Sequence, residues 1–420
     1  MRLLHTSDWH VGRTFHGADT LEALEDALGA LARVVRERAV DVVLVAGDVF
    51  DSAMPAGRHV EALSRSLAAI REAGAEIVLS SGNHDSPARL GANAAFARAG
   101  GLHLSTAALD PASWRIELAD EHGPVAVFAV PYLEPVALRA ALPGAGIATQ
   151  ADAMRWAMDA VRASLSDAPA RAVVLAHCFA AGIADDAARV DEAVRLDDAP
   201  RDITAGGLDV VPASVFDGVD YVALGHLHSR QELSPSVRYS GAPLHYSFRE
   251  RSPERGGWLV ELDAEGLAAV EWVGLPVPRA LTTVEGELAA LLADASLDGT
   301  EDDWLRVRLT DRVRPLDAMR RLQERWPHAA EVSWIGGASA PQRQLRERLA
   351  RRSEAEVVDD FLAHVRAGAS ATDAEAALVR ELLARAAADA VTSAADPQPA
   401  FAHRQPAAQL EVHAAAPALA

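Results

Sequence analysis

Cysteine is almost missing from this 420-residue chain: Cys178 stands alone. A single thiol excludes an internal disulfide framework, makes a structural cysteine–zinc cluster untenable, and fits a reducing cytoplasm. Long apolar runs are missing too. Nothing approaches the roughly 18 consecutive apolar residues that cross a bilayer, and the start, "MRLLHTSDWH", carries too short an apolar stretch for a signal peptide. Positive charge is in deficit, with 40 basic against 60 acidic residues and a net charge of −20. A surface of that sign does not bind nucleic acid by charge alone, so any such role must rest on a local site, bound metals or a partner. Aromatic residues, at 5%, are scarce, and none of them carries a functional signal by itself.

What is present is a globular composition, half of it hydrophobic, in a chain too long for one core, so two or three domains are expected. Over the first half, apolar runs alternate with amphipathic stretches. Strands are expected at Leu3-Leu4, 42–46, 75–79, near 114–118 and 125–130, and at 171–177 and 219–226. Helices are expected over 20–38, 59–73, 87–98, 133–141 and 151–165. The runs "DVVLVAGD" (41–48) and "RAVVLAH" (171–177) are apolar without alternation, the pattern of strands buried on both faces. Later runs at 237–240, 257–262 and 268–274 read as antiparallel strands. Strand–helix alternation of this kind implies an α/β layered core.

The stretch 182–212 is acidic, contains glycine and is weakly periodic, and reads as a solvated surface excursion in preference to a functional lid. "GLPVPR" (274–279) reads as a linker. Beyond it, 280–335 fits strand, helix, strand, helix, strand. A locally basic stretch, "PQRQLRERLARR" (341–352), precedes two helices announced by capping-box patterns, Ser353-x-x-Glu356 and Thr372-x-x-Glu375. From about 393 the Ala/Pro-rich tail is expected to be disordered.

The ends of the apolar strands carry the chemistry. Asp8-Trp9-His10 follows the first, Gly47-Asp48 the second, and Gly82-Asn83-His84-Asp85 the third. His177 closes the run at 171–177, and Gly225-His226-Leu227-His228 follows 221–224. In a sheet of parallel strands the carboxyl ends share one edge, where ligand sites form. Each fragment alone is weak: Asp-x-His is commonplace, Gly-Asp after a strand is usually a turn, and a lone histidine is more often structural. Their joint occurrence, in order and each at a strand end, is what points to a site. Aspartate, asparagine and imidazole suit divalent first-row ions such as Mn²⁺, Fe²⁺ or Zn²⁺. Seven ligands (Asp8, His10, Asp48, Asn83, His177, His226 and His228) are too many for one ion and about right for two sharing a carboxylate, the arrangement that clamps a phosphoryl group. Of the 15 histidines, those outside these motifs, including His5, His59 and His245, read as ordinary core or surface residues. Cys178 reads as a small core residue.

With these motifs in place, the chain resembles the calcineurin-like metallophosphoesterase superfamily, whose signature runs D-x-H, G-D, G-N-H-[DE], H, G-H-x-H. Within it the chain is most similar to the SbcD nuclease subunit family, through "HTSDWHVGR" (5–13), "VAGDVFDSAMP" (45–55), "GNHDSPARL" (82–90), "YVALGHLH" (221–228) and "RYSGAPLHYSF" (238–248). The resemblance is good over 1–275 and looser over 276–390. It implies a two-sheet αββα sandwich over 1–275, a small α+β capping domain that contacts DNA over 276–340, and a helical partner-binding segment over 341–392. The tail 393–420 has no counterpart.

The same resemblance puts Asp8, His10 and His228 on one ion, Asn83, His177 and His226 on the other, and Asp48 between them, with Mn²⁺ the foremost choice. His84 would stand over the scissile phosphate as a catalytic residue, with Asp85 holding its ring. Asp51 stands where archaeal relatives carry histidine, so no role is carried onto it. The implied activity is 3′-to-5′ exonuclease action on duplex DNA ends and endonuclease cutting of hairpins or single strands. It would serve repair, replication and recombination, beside an SbcC-type coiled-coil ATPase, as a homodimer within a heterotetramer. Helices 57–73 and 87–98 would make the homodimer contact. A cyclic-nucleotide or other small-molecule phosphodiesterase is the alternative that the metal chemistry leaves open.

Overall fold

Side chains along the central strands divide strictly by parity. In Val42–Ala46, Val42, Leu44 and Ala46 face one core while Val43 and Val45 face another. In Arg171–His177, Val173 and Leu175 join the first of these cores, and Ala172, Val174 and Ala176 face a third. Successive strand side chains point to opposite faces, so a run without alternation means apolar neighbours on both sides. The shared core lies between two sheets, and helices cover each outer face. The computed structural model in which these features are seen describes residues 1–182, 210–250, 254–336, 358 and 371–382.

The first sheet has the strand order Leu267–Leu275, Arg255–Leu262, Arg2–Thr6, Val42–Ala46, Glu76–Ser80, Leu102–Ser105. Its last four strands run parallel, and Arg255–Leu262 pairs antiparallel on both sides. The second sheet has the order Gln231–Glu232, Val237–Tyr239, Tyr221–Gly225, Arg171–His177, Gly123–Ala129, Arg115–Asp120. Its four inner strands are parallel and its two edge strands antiparallel. Helices Leu21–Arg38 and Gly57–Ala73 close the first sheet through Leu24, Leu28, Leu31, Val35, Leu63 and Ile70. Helix Gln150–Asp167, opened by a reciprocal Thr149/Asp152 cap, closes the second through Met154, Met158 and Val161. The result is the αββα sandwich. Each fully buried Val or Leu contributes roughly 1.5–3 kcal/mol, and the inter-sheet core stabilises the join on which both sheets' carboxyl ends depend.

Two expectations need correction, and one strand is additional. The helix expected over 87–98 is two pieces, Pro87–Leu90 and Ala94–Ala99. Gly91 separates them, and a Cβ there would lie 2.4 Å from Thr106 Oγ1, so the chain turns where it passes Thr106. Leu102–Ser105 is a strand that no pattern in the sequence announces. The run at 237–239 lies parallel to Tyr221–Gly225, not antiparallel; its antiparallel partner is the two-residue strand Gln231–Glu232.

The chain divides into two compact units, Met1–Trp334 and Ile335–Ala420. Within the first, strands Leu281–Gly286, Trp304–Leu309 and Ala329–Trp334 form a separate parallel sheet with helices Leu288–Ala293 and Ala318–Gln323. Its own core centres on Trp326, Leu305, Val307 and Leu322. Aromatic contacts join this sheet to the sandwich: Phe15 lies 4.8 Å from Trp304 between ring centroids, and Arg306 donates to the Phe248 carbonyl. In the second unit a helix over 373–382 opens with the expected cap, Thr372 N–H donating to Glu375 Oε2 and Glu375 N–H to Thr372 Oγ1. The basic stretch 341–352, the Ser353/Glu356 cap, nearly all of the helix expected after it, most of the 182–212 excursion and the tail lie outside the described residues.

Candidate metal centre

Both sheets end at one place. The loops after Arg2–Thr6 and Val42–Ala46 are zipped by backbone bonds from Asp8 N to Gly47 O (3.1 Å) and from His10 N to Asp48 O (2.9 Å). The second sheet meets them through His177, whose Nδ1–H donates to Ala46 O at 3.0 Å. Glycine makes the approach possible: a Cβ on Gly225 would lie 1.8 Å from Ala46 O, and one on Gly47 would lie 2.2 Å from His177 Nδ1. Among the described residues seven non-glycine residues have positive φ, and four of them are Asp8, His10, Asp48 and His226. Such backbone is strained by roughly 1–3 kcal/mol per residue and persists where surrounding structure enforces it, characteristically at functional sites.

The side chains gather in two sets. His10 Nε2 and His228 Nε2 face each other at 3.1 Å, and donor atoms of Asp8, His10 and His228 all lie within 4.8 Å of one another. On the other side, Asn83 Oδ1 lies 3.0 Å from His177 Nε2 and 3.2 Å from His226 Nδ1. Asp48 stands between: its Oδ2 is 3.6 Å from His10 Nε2 and 3.4 Å from His177 Nε2. Its Oδ1 accepts the His84 backbone N–H at 2.9 Å. Ring nitrogens and carboxylate oxygens converging on one buried spot form a donor set that fits divalent cations. Asp8 is oriented by Ser7 Oγ–H at 2.5 Å and by the His226 N–H at 3.0 Å.

Charge is arranged accordingly. Burial lifts the Asp8 carboxyl to about 6, against the opposing charges of His177 and His228. Burial also pushes Asp48 upward, but His177, His10 and His84 outweigh it and hold the carboxyl below the usual range. Burial lowers His10 to about 4, keeping a neutral imidazole free to ligate. For His177 burial lowers and the Asp48 and Asp8 charges raise, and the carboxylates win, at about 9. Cys178, beside it, is a buried thiol lifted to about 12. His5 is a core histidine, 3.0 Å from Tyr221 Oη and donating to Leu224 O.

His84 stands at the edge of this cluster, its ring centroid 4.8 Å from that of His10. The expectation that Asp85 holds the His84 ring is not met. Instead, His84 Nδ1–H donates to the Asp51 carbonyl at 2.9 Å. The Asp85 carboxylate accepts from the backbone N–H groups of Val49, Phe50 and Gly82, at 2.9–3.0 Å. It therefore fastens the Gly-Asn-His loop to the Gly-Asp loop. Asp51, left without a role from sequence, holds His84 by its carbonyl, and its Oδ1 lies 3.3 Å from both His10 Nδ1 and Arg13. Also missed were Tyr246, Glu250 and Arg255, buried around His228. The signature spacing contains nothing that marks them; the only signal was their place in or just after the supporting run 238–248.

Residues 1–151 match the calcineurin-like phosphoesterase family, and residues 277–366 match the family described as type 5 capsule protein repressor C-terminal domain. Among curated proteins, the chain is 35% identical to the SbcD subunit of the SbcCD nuclease of Rhodobacter capsulatus, covering 75% of this chain and 78% of that protein. It is 28% identical to the SbcD subunit of the Escherichia coli K12 nuclease, over 77% of this chain and 81% of that protein. To the SbcD subunit of the Staphylococcus epidermidis nuclease it is 24% identical, over 79% and 85%.

Proposed function

This chain belongs to the SbcD family of nuclease subunits, and we propose from that premise that it is the metal-dependent nuclease component of a complex with an SbcC-type ATPase. The observation that supports this most is the meeting of His10, His84 and His177, from the ends of three other strands, at the Asp48 carboxylate. Asp8, His10 and His228 would hold one divalent ion, Asn83, His177 and His226 a second, and Asp48 both, with Mn²⁺ our choice of metal. Bound ions there would supply Lewis acidity toward the phosphoryl oxygens and lower the pKa of water. The chain's own contribution is positional. Asp85 locks the two ligand loops together, and the Asp51 carbonyl fixes the His84 tautomer so that Nε2 is the nitrogen left to exchange a proton or stabilise charge on the leaving oxygen. The substrates we assign are duplex ends cut 3′ to 5′ and hairpins or single strands cut internally. The match over 277–366 favours this over a small-molecule phosphodiesterase, which needs no such region. We further assign DNA contact to 276–340, ATPase docking to 341–392, a homodimer within a heterotetramer, and cytoplasmic residence; among the described residues no helix is long and apolar enough to cross a membrane.

The test is a cleavage assay on end-labelled duplex and hairpin DNA with Mn²⁺, with chelator, and with or without the ATPase and ATP. Mn²⁺-dependent cutting, increased by the ATPase, is expected. Hydrolysis of cyclic nucleotides with DNA left intact would replace this reading by the phosphodiesterase.

A further inference from the structure

His228 Nε2 faces His10 Nε2 at 3.1 Å, so its other nitrogen, Nδ1, must carry the ring proton if Nε2 is to ligate. Nδ1 lies 3.3 Å from Glu250 Oε1. The Glu250 side chain is 1% exposed, as is Arg255, whose guanidinium donates to Glu250 Oε2. Arg255 also donates to the His228 carbonyl, and Tyr246 N–H donates to the carboxylate at 3.1 Å. A carboxylate buried this deeply is costly unless paired, and here the pairing also fixes His228 and the Tyr246 backbone beside it. Among the described residues the opposite set shows no such carboxylate behind it: His177 Nδ1–H donates to a neutral carbonyl, Ala46 O, and its companion is the uncharged Asn83.

We propose that Glu250, anchored by Arg255, is a positioning residue that orients His228 and strengthens Nε2 as a ligand, making the Asp8–His10–His228 position the tighter of the two metal positions. The inference rests on the two-ion reading above. A carboxylate accepting the distal N–H of a ligating histidine fixes its tautomer and raises its basicity, and losing such a partner weakens metal binding about 10–100-fold.

The experiment is a Mn²⁺ titration of the full-length chain by calorimetry, with bound metal counted and the electron paramagnetic resonance spectrum recorded. Wild type is expected to bind two ions, giving a spin-coupled pair at two equivalents. Glu250→Gln is expected to retain one ion at near wild-type affinity, to bind the other about 10–100-fold more weakly, and to show an isolated Mn²⁺ signal at two equivalents. Because Glu250→Gln removes the charge that Arg255 pairs with, the double variant Glu250→Gln/Arg255→Met is measured alongside. A folded variant that binds two ions as wild type does, or that loses both equally, overturns the proposal. Nitrogen-15 spectra of metal-free wild type give a reading that needs no variant: a His228 Nδ1 without a bound proton at neutral pH overturns it as well. Wild type that binds no metal overturns the two-ion reading itself, a result distinct from any of these.

Discussion

A methyl group on Gly82 would lie 2.2 Å from both the backbone nitrogen and Oδ1 of Asp48, the carboxylate at the centre of the site. Gly82 is not among the positive-φ glycines, so an alanine there would be resisted by space alone and not by backbone preference. Gly82→Ala is therefore expected to displace Asp48, destabilise the fold by about 1–3 kcal/mol, and reduce Mn²⁺ binding and cleavage together; calorimetry and the DNA assay check both. His84→Ala separates the two. Its ring hangs from the Asp51 carbonyl and contacts the cluster at its edge, so both ions should stay bound while cleavage falls about 10²–10⁴-fold. A variant that cuts at the wild-type rate would remove His84 from the chemistry. At this scale, the gathering of the signature residues at one spot was legible because their motifs all stand at strand ends. Asp85 was legible as a site residue but not in its role, because a carboxylate after histidine can serve the ring or the backbone, and only the Val49 and Phe50 amides reveal which. Glu250 lies more than 20 positions beyond His228, and no short-range spacing rule reaches that far.

At the scale of elements, strands buried on both faces are the readable part, since apolar runs such as 42–46 and 171–177 leave few other structures open. Shorter elements lose that signal. Leu102–Ser105 is a four-residue edge strand, and its sequence has no run long enough to set a period. Val237–Tyr239 was legible as a strand, but its direction depends on which neighbour it joins, and that is decided by the long path of chain before it. The small sheet at 281–334 followed its strand–helix rhythm because each segment contributes apolar residues to one core. That core is compact and centred on a fully buried Trp326, whose Nε1–H donates to Thr300 Oγ1 at 2.9 Å. Trp326→Ala should cost about 3–5 kcal/mol. Because the sandwich has its own three cores, the loss should fall on the small sheet. Limited proteolysis is expected to cut within 281–334 while Mn²⁺ binding at the sandwich persists. Loss of metal binding along with the sheet would mean that the two fold as one cooperative body.

For the whole molecule the question is how a chain of net charge −20 handles a polyanion. Its 40 basic residues are all arginine, a side chain suited to bidentate phosphate contacts, yet many in the first unit are paired within the protein, among them Arg38 with Glu271, Arg171 with Asp120 and Arg325 with Asp298. With those cations offset and the net charge strongly negative, the isolated chain should bind duplex DNA weakly at physiological salt, no tighter than the roughly 10⁻⁴–10⁻⁶ M of non-specific association. Each phosphate neutralised by a protein cation steepens the fall of affinity with salt by about 0.9 in the logarithmic slope. If the ATPase brings the positive surface, the complex should bind more tightly and its slope should steepen by several such increments. The slope of the isolated chain should stay shallow and its binding should depend on Mn²⁺. Fluorescence anisotropy across a salt series, with chain alone and with complex, measures both slopes. A steep slope for the isolated chain without metal would mean that its unpaired arginines form a DNA track of their own and that the partner's charge is not required.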